Sequence, residues 1–130
     1  MTRASGTFDI NVWDAQEYDE REGAKLARVH ITKTFHGGLT GTSTADIITA
    51  VAQGEKSMAY SGFERFTGSL DGREGTFVLC HFAGPSDGDG SLVWCVLPDS
   101  GTGELRGLRG AGGIVNDAGV HSWHLDYELA

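Results

Sequence analysis

Residues 57–83 read SMAYSGFERFTGSLDGREGTFVLCHFA. The stretch contains two runs with strand-like alternation, 57–68 and 75–83, and an Asp-Gly pair, Asp71 and Gly72, lies between them. Asp-Gly is the strongest short-range signal for a two-residue type I′ hairpin turn. The stretch therefore predicts a β-hairpin, and a turn centred on that pair sets Phe66 opposite Phe77, Glu64 opposite Leu79 and Gly62 opposite His81.

Two further turns extend this register to the neighbouring strands. A turn at Gly54 and Glu55 sets Val51 opposite Met58, Thr49 opposite Tyr60 and Ile47 opposite Gly62. A turn centred on Asp87 and Gly88 sets Cys80 opposite Cys95 and His81 opposite Trp94. Four consecutive strands with a defined register are therefore expected.

Strand-like runs continue in both directions along the chain. Alternation predicts strands over 5–13, 25–36, 43–53, 91–97, 112–116 and 121–129. The run 43–53 could also form a helix, but its β-branched residues favour a strand. Residues 14–23 are rich in acidic side chains and are expected to form a loop. The pattern predicts an all-β fold, a single antiparallel, roughly eight-stranded β-barrel domain over residues 1–130.

Both faces of the predicted sheet are apolar. One face carries Tyr60, Glu64, Phe66, Phe77, Leu79, His81, Trp94 and Val96. The other carries Val78, Cys80, Phe82, Val93, Cys95 and Leu97. A barrel interior covers one face, and a subunit interface or a packed segment must cover the other. We therefore expect a homo-oligomer.

Composition excludes several classes of partner. The formal net charge is −8 and no stripe of lysine or arginine is visible, so nucleic acid is not an expected partner. No apolar run approaches the ~20 residues of a membrane span, and the first residues lack the apolar core of a signal peptide. The expected compartment is the cytoplasm, with no membrane partner. Cys80 and Cys95 form no CxxC motif and are expected to be free thiols.

Five segments, in order, span nearly the whole chain: ASGTFDINVWD (4–14), VHITKTFHGGLTGTS (29–43), GFERFTGSLDGREGTFVLCHF (62–82), PDSGTGELRGLRGAGG (98–113) and HLDYEL (124–129). Together they resemble the small bacterial proteins of domain-of-unknown-function family 3224, which are grouped with the allene-oxide-cyclase-like barrels. The resemblance implies an eight-stranded antiparallel barrel, often oligomeric, and no known reaction. Allene oxide cyclase rings an unsaturated fatty-acid epoxide, but no motif here matches its catalytic positions, so no site residue is carried over from it.

The inferred interior places one carboxyl group, that of Glu64, among apolar side chains. Desolvation disfavours the charged form of a carboxyl group, so we expect a raised pKa and a role as general acid or base. His81 lies one diagonal step away, and Gly62 opposite it leaves room for a ligand. Glu64 and His81 are thus the candidate catalytic residues, although a structural polar pair inside a barrel would have the same pattern. The candidate ligand contacts are Tyr60, Phe66, Phe77, Leu79, Trp94, Trp123 and Tyr127.

The remaining motifs favour structural roles. His121 and His124, three apart in a strand, point to opposite faces, so no metal site is expected. The acidic run over 14–22 lacks EF-hand spacing. The glycines of 101–113 lack the ending of a phosphate-binding loop and predict a crossover with tight backbone contacts at the barrel end. A serine hydrolase is excluded because no GxSxG motif occurs. No cofactor is expected.

Two functions remain open from the sequence. The first is binding of a small apolar or partly apolar molecule in the barrel lumen, which includes a cofactor-free isomerase or cyclase in which Glu64 moves the proton. The second is a structural or protein-interaction barrel without a ligand. In that case side chains fill the lumen, as they can in a barrel of eight strands.

Overall fold

The computed structural model describes residues 1–55, 57–86 and 92–129. In this part of the chain, eight antiparallel strands close into one barrel, in which each strand pairs with the next and the last pairs with the first. The strands are β1 (Thr2–Arg21), β2 (Ala24–Gly37), β3 (Leu39–Ala52), β4 (Met58–Leu70), β5 (Arg73–Ser86), β6 (Leu92–Val96), β7 (Arg109–Asp117) and β8 (Val120–Glu128). The predicted all-β class and eight-stranded antiparallel barrel are confirmed. None of the described residues forms a helix long and apolar enough to cross a membrane.

The hairpin of β4 and β5 turns at the predicted Asp-Gly pair. Asp71 and Gly72 have φ angles of 48° and 85°, as a type I′ turn requires. The predicted pairs are present: Phe66 with Phe77, Glu64 with Leu79 and Gly62 with His81. The registers of β3 with β4 and of β5 with β6 are confirmed as well, with Thr49 opposite Tyr60, Cys80 opposite Cys95 and His81 opposite Trp94. The turn predicted at Asp87 and Gly88 lies outside the described residues.

β1 is longer than the sequence pattern predicts. The loop expected over 14–23 is wrong, because β1 continues to Arg21 and pairs with β2 along that length. The register shifts between Ile10 and Val12 and again between Glu17 and Asp19. Such bulges interrupt the period-two alternation from which a strand is predicted. Beyond the first bulge, the side chains that reach the interior are those of Trp13, Ala15 and Glu17.

The glycine-rich segment between β6 and β7 closes one end of the barrel. The expected crossover is wrong, because β6 and β7 are neighbours in the sheet. The segment instead folds across the barrel end, where Leu105 and Leu108 are fully buried. The Thr102 amide donates to the carbonyl oxygen of Thr76 at 2.9 Å. A Cβ on Gly75 would lie 2.1 Å from the Thr102 carbonyl oxygen, so this contact requires a glycine.

Large side chains fill the part of the barrel beside the closed end, which we call the packed half. Its cluster of buried residues comprises Ala4, Phe8, Phe35, Leu39, Phe66, Leu70, Phe77, Leu79, Trp94, Val96, Leu105, Leu108, Trp123, Leu125 and Tyr127. A second, smaller cluster lies towards the β1–β2 and β3–β4 turns, in what we call the open half. It consists of Val29, Ile31, Ala45 and Ile47, with Tyr60 packed against them.

Candidate functional site

A cavity of about 400 Å³ occupies the open half of the barrel. Its walls are mostly apolar and come chiefly from β2 and β3: Ala27, Val29, Ile31, Ala45, Ile47 and Thr49. Lys25 and Met58 lie at its mouth, close to the turns, while Lys33 and His81 form its floor beside the packed half. An apolar cavity of this size with a few convergent polar groups is typical of small-molecule sites.

Glu64 lies beneath that floor and is completely buried. Nε2 of His81 is 2.6 Å from its Oε1, and Nζ of Lys33 is 3.4 Å from the same oxygen. The Ser43 hydroxyl donates to Oε2. These four side chains come from four successive strands, β2 to β5, at positions that face inward. They form one polar layer across the barrel, between the packed half and the cavity.

The partners of Glu64 set its charge. Burial by itself raises the pKa of the carboxyl group, but the hydrogen bond from His81, the positive charges of Lys33 and of protonated His81, and the hydrogen bond from Ser43 lower the pKa to about 2. The raised pKa expected from the sequence is therefore wrong, because these polar partners together outweigh desolvation. Glu64 is a carboxylate at neutral pH and is too weakly basic to take up a substrate proton itself.

His81 is the member of the pair that the cavity reaches. It lines the cavity, and Nε2 is held by Glu64 on one side and faces the indole Nε1 of Trp94 at 3.1 Å on the other. An ionised carboxylate can only accept a hydrogen bond, so a bond to Glu64 requires a proton on Nε2. An indole can only donate one, so a bond from Trp94 requires an unprotonated Nε2. The charged acceptor is the closer and stronger partner, which places the proton on Nε2. Nδ1 then keeps its lone pair, and no described residue hydrogen-bonds to it.

Lys33 and Tyr60 are polar residues that line the cavity near His81. Only 5% of Lys33 is exposed, and its Nζ lies 4.5 Å from the centroid of the Phe8 ring, a cation–π contact. The Tyr60 ring centroid lies 6.5 Å from that of His81. Burial and the negative charge of Glu64 raise the pKa of the Tyr60 phenol, so it is a neutral hydrogen-bonding group at physiological pH.

The other predicted ligand contacts lie in the packed half. Tyr60 lines the cavity, whereas Phe66, Phe77, Leu79, Trp94, Trp123 and Tyr127 belong to the buried core cluster and do not line it. Trp94 reaches the site only through His81. The Tyr127 hydroxyl donates to Oδ2 of Asp71 at 2.5 Å, in the turn between β4 and β5. These six side chains are part of the packed core and do not line the cavity.

The sequence interpretation missed Lys33 and Ser43. Lys33 occupies the same period-two face as Val29, Ile31 and Phe35. A lysine inside such an apolar alternation is the available signal, since lysine is almost never fully buried without a partner. Ser43 lies directly opposite Lys33 in the β2–β3 register and opposite Phe66 in the β3–β4 register. That position becomes recognisable only once three strands are aligned.

Elsewhere among the described residues, titratable groups form no second cluster of this kind. His30 pairs with Asp46, and His36 with Asp9, on the exposed surface. Over 1–55, 57–86 and 92–129, no group of three or more His, Cys, Asp or Glu residues could hold a metal ion. Cys80 and Cys95 are free thiols. Burial and the neighbouring Cys95 raise the pKa of the Cys80 thiol, which makes it less reactive.

Comparison with known proteins supports this architecture. A family described as protein of unknown function (DUF3224) matches residues 4–127. The crystal structure of a protein with unknown function from that family, from Shewanella oneidensis MR-1, is similar with a TM-score of 0.93 at 34% sequence identity. The match covers 100% of this chain and 98% of that one. No curated protein matches the sequence.

Proposed function

Because the chain belongs to the DUF3224 family, whose description names no activity, we propose a function from the geometry of its cavity. The protein binds a small, partly apolar molecule in the open half of the barrel and moves a proton on that molecule without a cofactor. One observation carries the proposal: His81 lies at the floor of an apolar cavity, and a buried, charged carboxylate holds its far nitrogen. A barrel whose lumen is filled by side chains would leave no space of about 400 Å³.

In this proposal His81 is the acid–base group and Glu64 is a positioning residue. Glu64 accepts the hydrogen bond from Nε2, which fixes the tautomer that leaves the lone pair on Nδ1, and the His81 side chain lines the cavity. When Nδ1 takes a proton, the imidazolium that forms is stabilised by the adjacent negative charge. The initial hypothesis gave the proton to Glu64, but its low pKa and complete burial favour His81 instead.

The reaction class that fits these groups is isomerisation by proton transfer. Nδ1 takes a proton from an activated carbon of the bound molecule, and the electron pair of the broken C–H bond moves into the conjugated system. The imidazolium then returns the proton to a different carbon of the same molecule. The apolar walls exclude water, which strengthens the electrostatic stabilisation of the charged intermediate.

Binding is tested first, with short-chain methyl ketones and nitroalkanes as probes. We expect the bound probes to raise the melting temperature of the wild-type protein, because a ligand that binds only the folded state stabilises it. Ile47→Trp, which places a large side chain in the cavity wall, should abolish that shift. Failure of every probe to stabilise the wild-type protein would contradict ligand binding.

Proton transfer is tested on the probes that bind. In deuterated water, NMR should show wild-type protein exchanging the activated C–H hydrogen of the probe for deuterium. We expect His81→Gln to bind the probe and to exchange its hydrogen at least about tenfold more slowly. General acid–base groups typically contribute about a hundredfold or more to a rate. The control is His121→Gln, a second histidine that lines the same cavity. Equal exchange by wild type and H81Q would contradict the assignment of His81.

We also propose that the protein is a homo-oligomer that associates through the outer face of β4, β5 and β6. Three large side chains are exposed there, Phe63, Phe82 and Val93, and Leu97 is exposed directly after β6. The Phe63 and Phe82 rings contact each other edge to face, with centroids 6.2 Å apart, so the patch is continuous across two strands. Contiguous exposed apolar surface of this kind is typical of subunit interfaces.

Analytical ultracentrifugation of the wild type and of Phe63→Lys measures the oligomeric state. We expect an oligomer for the wild type and a monomer for F63K, because the lysine places a charge in the interface. Val115→Lys is the control, since Val115 is equally exposed but lies on β7. A monomeric wild type would overturn the proposal.

The cytoplasm remains the proposed compartment, where a reducing environment keeps Cys80 and Cys95 as thiols.

A further inference from the structure

We propose that Lys33 binds the oxygen atom of the substrate, and that the substrate class is a neutral carbonyl compound, a ketone or aldehyde with an apolar body. This inference rests on the proposed function, because it names the substrate of the same cavity. Lys33 lines the floor of that cavity beside His81. A molecule whose carbonyl oxygen contacts Lys33 would therefore present the neighbouring carbon to His81.

The hydrogen-bonding capacity of Lys33 is only partly used. An ammonium group has three N–H donors. Glu64 is its one hydrogen-bond acceptor among the described residues, and the contact is long, 3.4 Å. The Phe8 ring takes up a further part of the charge without accepting a conventional hydrogen bond. The ammonium is more than nine-tenths buried, so an acceptor for its remaining donors must come from the contents of the cavity.

The charged groups at the cavity floor favour a ligand whose hydrogen-bond acceptor carries no net charge. The ammonium of Lys33 and the carboxylate of Glu64 cancel, so an anionic ligand would add an uncompensated negative charge to a buried site. A cationic ligand would lie against Lys33, where the two positive charges repel each other. A carbonyl oxygen accepts hydrogen bonds without carrying a net charge, and the walls of Val29, Ile31 and Ile47 suit an apolar body.

The same arrangement stabilises the charge that develops during proton transfer. Nδ1 of His81 takes the proton from the carbon next to the carbonyl group. The electron pair of that C–H bond forms a C=C bond, and the carbonyl π electrons move onto the oxygen. The enolate oxygen is then held by the Lys33 ammonium, and the imidazolium by Glu64. The total charge of the site is unchanged throughout, so no external ion or oxidant is needed.

A series of probes that share a cyclohexyl ring and differ in the attached group tests the inference by isothermal titration calorimetry. The probes are cyclohexyl methyl ketone, ethylcyclohexane, cyclohexanecarboxylate and cyclohexylmethylammonium. We expect the ketone to bind the wild-type protein about tenfold or more tightly than each of the others, the gain from one hydrogen bond to a charged group. In Lys33→Met that preference should disappear, while ethylcyclohexane still binds.

Two further variants keep the test decisive. The double variant K33M/E64Q removes both buried charges and serves if Lys33→Met alone, with an unpaired carboxylate, does not fold. Lys25→Met, a change at the cavity mouth, should retain the preference. A ketone preference that persists without Lys33, or equal binding of all four probes to the wild type, would overturn this inference alone. Binding of none of the probes, ethylcyclohexane included, would instead contradict the proposed function.

Discussion

The two halves of the barrel are built from the same strands but are filled by side chains of different size. β2 contributes Phe35 to the packed half and Ala27, Val29 and Ile31 to the open half. The walls are mostly apolar in both halves, although charged residues such as Glu17 and Lys25 line the mouth of the open half. Eight strands enclose a lumen that large side chains can fill, and the smaller residues of the open half leave about 400 Å³ unfilled. Side-chain volume along each strand thus determines which part of the lumen stays unfilled.

The polar layer of Lys33, Ser43, Glu64 and His81 lies at the boundary between these halves. An ion pair buried in a protein loses hydration, and apolar residues of the same volume would often be at least as stabilising. The position of the polar layer next to the cavity supports a role in recognition or chemistry. A barrel whose lumen was filled by side chains would gain little stability from such a layer. Substitutions in each half test whether the two halves differ in this way.

The largest effect is expected from truncation in the packed half. Phe77→Ala removes a ring that is fully buried between the rings and leucines of the core cluster, and we expect it to lower the free energy of unfolding by about 3–5 kcal/mol. Ile31→Ala borders space that is already empty, so it should cost about 2 kcal/mol or less. Urea denaturation measures both. Equal losses would contradict the division into a packed and an open half.

Removal of the central carboxylate should have the next largest effect. Glu64→Gln leaves the Lys33 ammonium buried without a counter-charge, which should lower the free energy of unfolding by about 3 kcal/mol at neutral pH. The native pKa of Glu64 is depressed to about 2 from an ordinary value of 4.5. Its contribution to stability is therefore complete above the ordinary pKa and is lost as the pH falls from there through the native value.

The stability difference between wild type and E64Q should accordingly narrow as the pH falls from about 4.5 to about 2. Denaturation curves at several pH values in that range measure it. Glu128→Gln, at an exposed position of β8, is the matched control and should differ little from wild type. A difference between wild type and E64Q that stays constant down to the lowest pH would contradict a charged Glu64 in the native protein.

Most of the fold could be predicted from the sequence because local turns set the register of neighbouring strands. Asp71 and Gly72 alone align Glu64 with Leu79 and place His81 beside them, so the core of the candidate pair could be predicted from one hairpin. Lys33 could not be paired with Glu64 in the same way, because β2 and β4 are separated by β3. Only closure of the barrel brings inward side chains of such strands together. The positive charge of Lys33, one of the groups that lower the pKa of Glu64, was therefore not predictable from the hairpin.

The extent of β1 could not be read from alternation for a different reason. Its two bulges shift the side chains between faces, so acidic and apolar residues no longer alternate with a single phase. The sequence of 14–23 therefore has the pattern of an acidic loop although most of it is strand. Backbone pairing with β2 continues through the bulges. The length of β1 is therefore set by its pairing with β2 and not by its own side-chain pattern.

The smallest effect is expected at the closed end, where Tyr127 contacts Asp71. Tyr127→Phe removes the hydrogen bond from the hydroxyl to Oδ2 and should lower the free energy of unfolding by about 1 kcal/mol. Burial, the hydrogen bond to Asp71 and its negative charge raise the pKa of Tyr127 to about 12. Since the native pKa is raised, this contribution is present below the ordinary tyrosine pKa of about 10 and is lost as the pH rises through 12. Absorbance titration of the phenolates should show a step near pH 12 that is missing in Y127F, whereas Tyr60, whose pKa is also raised, titrates in both proteins. If all tyrosines of the wild type ionised near their ordinary pKa, the packed half would be more open to water than this contact implies.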